Sequence, residues 1–499
     1  MSVPRSVSII PSASALVESL RGLGYSTETA LADLVDNSIS AEAELIEIDM
    51  QWSEGVPVIA MLDDGKGMSE AKLATALCFG GTGARIERDA SDLGRFGLGL
   101  KTASLSQCRR MTIVSSDADG LNALTLDIDV IADHGWIATV PEVLPAHPFV
   151  TRLKERGQGT LVLWERMDER SGLAGLGRED FFLRLQEIRD HLGMVFHRFL
   201  GGDARRVSMS INERPIKPWD PFQRTHPATT QMRTERIRHA GGVVTVTPWV
   251  LPHRDRFANE TEYAAAGGAG GWGARQGFYV YRGKRLLVAG SWVGLGGSRA
   301  WTRDEASRLA RIEVDLPTTL DSDWRIDVRK SQARPPGALR ARLTALAGSC
   351  RERAREVFAW RGRRTGSQRT ERPTDAVWLA RSTDAGMVYT VNREHPAIAA
   401  YLADESCDRG RFQAVLTVIE RSVPVERIWL DISQSEGAVT LGIDEVEAEQ
   451  LAAQLASLAE LLPSGLSPVD RAEVLIGNLP GDQAELRKHL IGVLEARAA

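Results

Sequence analysis

Two carboxylates and one amide lie close together in the segment LADLVDNSISA, within a predicted helix. Asp33 and Asn37 are four residues apart, which places them on one helical face about one turn apart, with Asp36 beside them. A carboxylate in this position could orient a water molecule, and an amide oxygen could bind Mg²⁺, which prefers oxygen ligands. A solvated helix face would show the same pattern, so both interpretations stay open.

A further carboxylate stands at the end of a predicted strand. The segment VIAMLDDGKGM is apolar up to Asp63 and then breaks into Gly65, Lys66 and Gly67. These glycines let a ligand approach the backbone, and an aspartate here can accept a hydrogen bond from an exocyclic amine such as that of adenine. An ordinary Asp-Gly turn is the alternative.

Two groups of glycines frame the polar segment that follows. The segment starts with Gly80, Gly81 and Gly83. It ends with Gly94, Gly97 and Gly99. The second group directly precedes a predicted helix from Leu100 to Leu105, so backbone N–H groups and a helix N-terminus would point toward phosphate, assisted by Lys101 and Thr102. The segment lacks the GK[ST] ending of a Walker A motif, and no strand directly precedes it as a Rossmann fingerprint requires.

In this order the three motifs resemble the N-box, the DxGxG box and the glycine-rich lid of GHKL ATPases. That family includes gyrase, the large heat-shock chaperone, MutL, MORC and histidine kinases. Gly159 and Thr160 open the strand GTLVLW, where the family has a Gly-Thr pair behind its adenine-binding aspartate. The resemblance covers residues 12 to 200 and implies an α+β fold, a GHKL (Bergerat) sandwich that binds ATP and Mg²⁺.

The resemblance also implies a role for each matching residue. Asn37 would bind Mg²⁺ and Asp63 would bind adenine, in a site completed by Gly65, Gly67, Met68 and Thr160. The phosphates would be wrapped by the lid and the helix after it, through Gly80, Gly81, Thr82, Gly94, Arg95, Phe96, Gly97, Leu98, Gly99, Leu100, Lys101 and Thr102.

Asp33 departs from the family pattern, because it stands where the general base is usually a glutamate. Its carboxylate is withdrawn by roughly 1 Å, and a misplacement of that size can cost about 10²-fold in rate. We therefore expect an ATPase that hydrolyses ATP slowly.

Hydrophobic periodicity predicts the elements that position these residues. Leu31, Leu34 and Val35 form an apolar helical stripe that begins after Ser26 or Thr27 as the N-cap. Apolar and polar residues alternate at 46–51 and 124–130, which predicts half-buried strands. Helices and strands thus alternate in an α+β or α/β layer structure.

A second region extends from about residue 203 to residue 337. Strands are predicted at 207–211, 243–250, 277–281 and 312–316, and the composition of AAAGGAGGWGARQG at 264–277 predicts a mobile loop. This region resembles the transducer domain, a ribosomal S5-like fold, that follows the ATP domain in clamp-type GHKL proteins. Lys330 is the candidate for its lysine that contacts the γ-phosphate, with four alternatives: Arg282, Lys284, Arg285 and Arg329.

The expected domains are a GHKL ATP-binding domain at 1–200, a transducer domain at 201–345, a basic helix and linker at 346–375, and a C-terminal α/β domain of unknown role at 376–499. A chain of 499 residues is long enough for two to four domains, and its net charge of -5 says nothing for or against nucleic acid.

The composition favours a cytoplasmic protein. The four cysteines, Cys78, Cys108, Cys350 and Cys407, show no CxxC spacing, which argues against a zinc site or a disulfide framework. No segment reaches the ~18 apolar residues of a membrane span.

The lid ending GLGLKTAS and the strand YVYRGKRLL resemble MORC and prokaryotic MutL/MORC-like ATPases most. Histidine kinases are largely set aside, because they carry a phosphoacceptor histidine on a helix before the ATP domain, whereas the motifs here start by residue 33 and the first histidine is His134. The resemblance implies a homodimeric, ATP-driven clamp on or beside DNA, working with proteins encoded nearby in bacterial restriction or anti-phage defence. The arginine-rich stretch 351–372 would suit DNA phosphates or serve as a solvated linker. The alternative function is a chaperone-like or regulatory ATP switch that acts on a partner protein.

Overall fold

The computed structural model describes residues 12–359 and 377–498, apart from 23, 54, 80–98, 202–206, 298, 322, 327–332, 384–385, 405–407, 424–444, 464 and 477–483. The chain divides into two compact units, Met1–Ala359 and Trp360–Ala499. The finer division into four domains stays a prediction.

Seven strands of the described residues form the first sheet, in the order β4-β3-β5-β2-β1-β6-β7. Neighbours are antiparallel except β1 and β6, which are parallel. The strands are β1 Leu45–Ser53, β2 Val56–Asp63, β3 Cys108–Asp117, β4 Gly120–Asp127, β5 Gly159–Met167, β6 Ser208–Ile211 and β7 Arg214–Pro215.

Helices cover both faces of this sheet. They are α1 Ala13–Arg21, α2 Thr27–Ser40, α3 Glu70–Leu77, α4 Gly99–Gln107, α5 Ile128–His134, α6 Pro148–Arg156, α7 Arg178–Val195 and α8 His197–Leu200. The larger core packs α1, α2, α4 and α7 on one face. Helix α6 packs Phe149, Val150 and Leu153 on the other face. The predicted α+β sandwich is confirmed.

Helix α2 forms where the apolar stripe predicts it. Leu31, Leu34 and Val35 are at most 2% exposed, and the N-cap is Ser26, one of the two predicted candidates. The helix ends in a Schellman motif, in which the N–H of Ala43 donates to the Ser38 carbonyl at 2.9 Å. Glu42 takes the left-handed conformation of this motif, with φ +65°. A glycine would do so without strain.

The strand predicted at 124–130 ends early, so the prediction is wrong for its last three residues. The Asp127 carboxylate accepts a 3.0 Å hydrogen bond from the N–H of Asp129 and caps α5. Capping by a side chain thus overrides the alternating pattern at this point.

The second sheet lies in the same unit and contains six strands of the described residues, in the order β12-β11-β13-β10-β8, with β9 also paired to β10. These are β8 Thr230–Gln231, β9 Glu235–His239, β10 Gly242–Val250, β11 Gly277–Arg282, β12 Arg285–Ser291 and β13 Ala310–Leu316. Helix α11, Gly337–Ala359, covers one face through Leu339, Leu343 and Ala347. The opposite face contributes Tyr279 and Tyr281 to the core of the first sheet.

The segment predicted as a mobile loop is largely helical, so that prediction is wrong. Residues 264–277 contain the end of α9, Glu260–Gly267, and all of α10, Gly271–Ala274. The Trp272 ring stacks on Tyr263 at 4.8 Å, and its indole N–H donates to the Tyr263 carbonyl at 3.0 Å. One buried aromatic pair therefore orders a stretch whose composition predicts a loop.

Strands β11 and β12 are joined by the two-residue turn of Gly283 and Lys284. Both residues have positive φ, +53° and +71°, as a type I′ hairpin turn requires. The turn places Arg282 opposite Arg285 at the ends of the two strands.

The second unit contains an antiparallel strand pair and helices packed through alanine. The elements are β14 Trp378–Thr383, β15 Gly386–Val391, α12 Pro396–Ala403, α13 Arg409–Arg421, α14 Glu445–Ala459, α15 Pro468–Ile476 and α16 Ala484–Ala498. Ala448, Ala452 and Ala456 of α14 are at most 1% exposed and pack with α15 and α16. Across both units, no helix among the described residues is long and apolar enough to cross a membrane.

Candidate functional site

Asp63 ends β2 in the middle of the first sheet, opposite Thr160 of β5. Asp63 is buried, with 5% of the residue exposed. The Ser38 hydroxyl donates to one oxygen at 2.7 Å, and the N–H of Gly65 donates to the other at 2.9 Å. Burial raises the pKa of Asp63, and the hydrogen bonds from Ser38 and Gly65 oppose that rise. The carboxylate is therefore held in one orientation at the strand end.

Two glycines permit close backbone contacts beside Asp63. At Gly159, φ is +132°, and an added Cβ would lie 2.1 Å from the Asp63 carbonyl oxygen. At Gly67, φ is +67°, and an added Cβ would lie 1.9 Å from the Ser116 carbonyl oxygen. The turn after Asp63 thus packs directly on β3 and β5.

A chain of hydroxyl groups fixes that turn. The N–H of Met68 donates to the Ser115 hydroxyl at 2.8 Å, and Ser115 shares a 2.9 Å hydrogen bond with the Thr160 hydroxyl. Asn122 on β4 donates to the Met68 carbonyl at 3.3 Å. Met68 and Thr160 are thereby brought to the Asp63 end of the sheet, as the motifs predict.

Helix α2 brings its polar residues to the same end. Asp33 and Asp36 are 3% and 1% exposed, so a solvated helix face is the wrong interpretation for both. The Tyr25 hydroxyl donates to Asp33 at 3.0 Å. Asn37 is exposed, and the next residue, Ser38, is the donor to Asp63. Helix α2 thus contacts Asp63 through Ser38, and Asp33, Asp36 and Asn37 lie within two turns of that contact.

The N-terminus of α4 adjoins α2 at Asp33. A Cβ added to Gly99 would lie 3.7 Å from an Asp33 carboxylate oxygen. The unpaired N–H groups of a helix N-terminus favour anions such as phosphate. Lys101 and Thr102 follow in the first turn, are at most 2% exposed, and Lys101 donates to the Ala76 carbonyl at 2.7 Å.

Part of the predicted site lies outside the described residues. This applies to eight lid positions, Gly80, Gly81, Thr82, Gly94, Arg95, Phe96, Gly97 and Leu98. It also applies to Lys330 and Arg329, and to the arginine-rich stretch from residue 360 onward. Their assignments stay predictions.

Three of the alternative cations to Lys330 are described. Arg285 forms an ion pair with Asp36 of α2 at 3.0 Å. Arg282 forms an ion pair with Asp321 at 2.7 Å, and Lys284 is exposed in the hairpin turn. Of these three, Arg285 is the one whose guanidinium contacts α2.

Sequence reasoning missed three residues of the site: Tyr25, Ser38 and Ser115. Ser38 directly follows Asn37 on α2, so its position offered a local signal. Tyr25 and Ser115 act through tertiary contacts with Asp33 and Met68, and no local pattern marks them.

The residues present fit a lightly coordinated magnesium ion. Among the described residues, no group of three or more His, Cys, Asp or Glu side chains is placed to hold a metal. Mg²⁺ bound with a nucleotide takes one or two protein oxygens and completes its shell with phosphate and water. The exposed Asn37 amide, next to buried carboxylates, meets that limited requirement.

The site region matches known proteins. Residues 25–160 match the family model described as Histidine kinase-, DNA gyrase B-, and HSP90-like ATPase. A stretch of 100 residues is 32% identical to ATPase MORC2A of Mus musculus and to ATPase MORC2 of Homo sapiens, covering 19% of this chain and 10% of each relative. ATPase morc-1 of Caenorhabditis elegans is 28% identical over 112 residues, or 22% of this chain and 13% of that relative. The chain thus matches little more than a tenth of the length of these relatives.

Proposed function

Residues 25–160 form a GHKL-type ATPase domain related to those of MORC proteins, and from this premise we propose that the protein binds ATP with Mg²⁺ and hydrolyses it. The observation that carries the proposal is the buried Asp63 carboxylate, fixed by Ser38 and Gly65. A buried acceptor of fixed orientation suits a base that presents an exocyclic amine.

Each residue of the site has a part in this activity. Asp63 accepts a hydrogen bond from the adenine amine, and the turn through Gly65, Gly67 and Met68 lines the base. The N-terminus of α4 faces the phosphates, with Lys101 in its first turn. Asn37 would hold Mg²⁺, which would offset phosphate charge when bound. Asp33 orients the attacking water and accepts its proton.

Hydrolysis depends on two further features. Asp33 has a shorter side chain than glutamate, and Lys330 of the second region supplies a cation to the γ-phosphate. The first feature makes turnover slow, because the base is set back by roughly 1 Å.

Calorimetric titration of the full chain with Mg-ATP tests the proposal. Asp63→Asn should weaken binding about tenfold or more, since it removes the charged acceptor. Asp119→Asn, in the exposed turn between β3 and β4, is the matched control and should bind as the wild type does. Equal affinities for the wild type and Asp63→Asn would contradict the assignment of the site.

For the whole protein, we propose an ATP-gated homodimeric clamp that acts on or beside DNA in bacterial restriction or anti-phage defence, together with partner proteins and in the cytoplasm. The related ATPases named MORC support this choice. The described arginines of the 351–372 stretch already have acidic partners, because Arg351 and Arg355 pair with Asp304 and Arg353 pairs with Glu356. The proposed DNA contact therefore does not depend on these three.

Stimulation of ATP turnover by duplex DNA, with dimerisation in a non-hydrolysable ATP analogue, would support the clamp. The second candidate is an ATP switch for a partner protein, which the short Asp33 side chain favours. Turnover that is insensitive to DNA and responds to a co-purifying protein would favour the switch.

A further inference from the structure

Arg285 reaches from the second sheet to the site helix α2. Its Nε atom lies 3.0 and 3.1 Å from the two carboxylate oxygens of Asp36, a residue 249 positions earlier in the chain. The side chains of Arg285 and Asp36 are 6% and 1% exposed. The ion pair is therefore buried where residues of the second sheet pack into the core of the first sheet.

The guanidinium of Arg285 is also fixed by other contacts. Its Nη1 donates to the Leu286 carbonyl at 2.8 Å, and its central carbon lies 5.7 Å from the centre of the Phe196 ring. Burial of both charges is costly, so removal of one partner leaves the other uncompensated. The pair therefore holds α2 and the start of β12 in one relative position.

Asp36 occupies a sensitive place on α2. Asn37 is the next residue, Asp33 lies one turn before Asp36, and the Ser38 hydroxyl contacts Asp63. A small rotation or sliding of α2 that lengthened the contact between Asp36 and Arg285 would displace Asp33, because the backbone of one helical turn moves as a unit.

We infer that Arg285 is a positioning residue for hydrolysis, acting through Asp36 to set the position of Asp33. The inference rests on the proposed function. In this role Arg285 does not contact the γ-phosphate, because its guanidinium binds the carboxylate of Asp36 on α2. The second sheet thereby controls the geometry of the site without contact between Arg285 and the nucleotide.

Single and double variants of the full chain test this inference by steady-state turnover and by nucleotide titration. Arg285→Gln and Asp36→Asn should each lower kcat by about 10- to 100-fold, with the dissociation constant for Mg-ATP changed less than about threefold. The double variant should lose no more than either single one, because both remove the same contact. Exchanging the two charges, in Asp36→Arg with Arg285→Asp, should recover part of kcat.

Asp315→Asn is the control, since Asp315 pairs with Arg198 of α8 and this ion pair does not include α2. It should leave kcat within about twofold of the wild type. Thermal unfolding identifies any variant that fails to fold, and Arg285→Lys then replaces Arg285→Gln, with a smaller loss of kcat expected.

Three outcomes would overturn the inference: unchanged kcat in both single variants, additive losses in the double variant, or a much larger loss for Arg285→Gln than for Asp36→Asn. The last of these would indicate direct contact with phosphate. If the wild type shows no ATP turnover, the proposed function itself fails. If the wild type turns over ATP and one of the three outcomes is found, the inference about Arg285 fails and the proposed function stands.

Discussion

A Cβ atom on residue 159 would lie 2.1 Å from the carbonyl oxygen of Asp63, so Gly159 and Asp63 are in contact through their backbones. Gly159→Ala should therefore force β5 away from the end of β2. We expect it to lower the free energy of unfolding by roughly 2–4 kcal/mol, from backbone strain and overpacking together. Urea denaturation measures this change.

Gly120→Ala separates these two contributions. Gly120 also has positive φ, +123°, but an added Cβ would meet no atom within 4 Å. Its substitution should cost roughly 1 kcal/mol, from strain alone. Equal losses for the two variants would show that the contact with Asp63 is unimportant.

Ser38→Ala should weaken ATP binding about fivefold to tenfold at pH 8, because Asp63 loses a donor that orients its carboxylate. The loss should grow as the pH falls. Burial already raises the pKa of Asp63, and without Ser38 that pKa rises further, so more of the carboxyl is protonated and unable to accept from adenine. Titrations from pH 8 downward check this. Ser19→Ala, at an exposed position of α1, should bind normally, and a pH-independent loss would contradict the explanation.

Glu42→Gly should stabilise the protein by about 1 kcal/mol. Glu42 has φ +65° at the end of α2, and glycine takes this conformation without strain. The exposed ion pair of Glu42 with Lys66 offsets little of that gain. Thermal unfolding compares Glu42→Gly with Glu42→Ala, which removes the ion pair but retains the Cβ. If both variants are stabilised equally, backbone strain at residue 42 is not the cause of the stabilisation.

His197 should make the fold acid-sensitive. Its Nδ1 donates to the Met194 carbonyl at 2.8 Å, leaving Nε2 to accept from the Tyr281 hydroxyl at 3.3 Å. Burial lowers the pKa of His197 to about 4. The unfolded chain takes up the proton first, so this stabilisation is complete above about pH 6.5 and is lost as the pH falls toward 4.

Between pH 7 and pH 5 the expected loss from His197 is on the order of 2 kcal/mol. His197→Gln should remove that part of the pH dependence in urea denaturation, while His134→Gln, at an exposed site, should retain it. An identical pH dependence in the wild type and His197→Gln would show that His197 does not titrate in this way.

Asp33→Glu should raise ATP turnover by about 10-fold or more, because the carboxylate advances by roughly 1 Å toward the attacking water. Asp33→Ala should abolish turnover while ATP still binds. Tyr25→Phe, which removes the 3.0 Å hydrogen bond to Asp33, should lower turnover by a smaller factor. Equal rates for the wild type, Asp33→Glu and Asp33→Ala would remove Asp33 from the mechanism.

Local patterns predict the parts of the site that depend on local sequence. Asp63 was predictable because an apolar strand ends at it before two glycines, and α2 was predictable from Leu31, Leu34 and Val35. Ser115 reaches Met68 only because β3 lies beside β5 in one register, which no local pattern encodes.

Two errors show where periodicity and composition mislead. The alternation at 124–130 continues past Asp127, where a capping hydrogen bond begins a helix. In the Ala- and Gly-rich stretch, the contact between Tyr263 and Trp272 outweighs composition. Likewise, the sequence does not distinguish Arg285 from the other candidate cations. Only the packing of the second sheet pairs it with Asp36.

The type I′ turn of Gly283 and Lys284 limits how this chain can be engineered or diverge. Inserting one residue there would shift the register of β12, and a shift by one residue turns each side chain to the opposite face of the sheet. Arg285, the residue directly after the turn, would then lose its contact with Asp36, which lies 249 positions earlier in the chain. The β11–β12 turn should therefore keep its two-residue length in any working homologue or design.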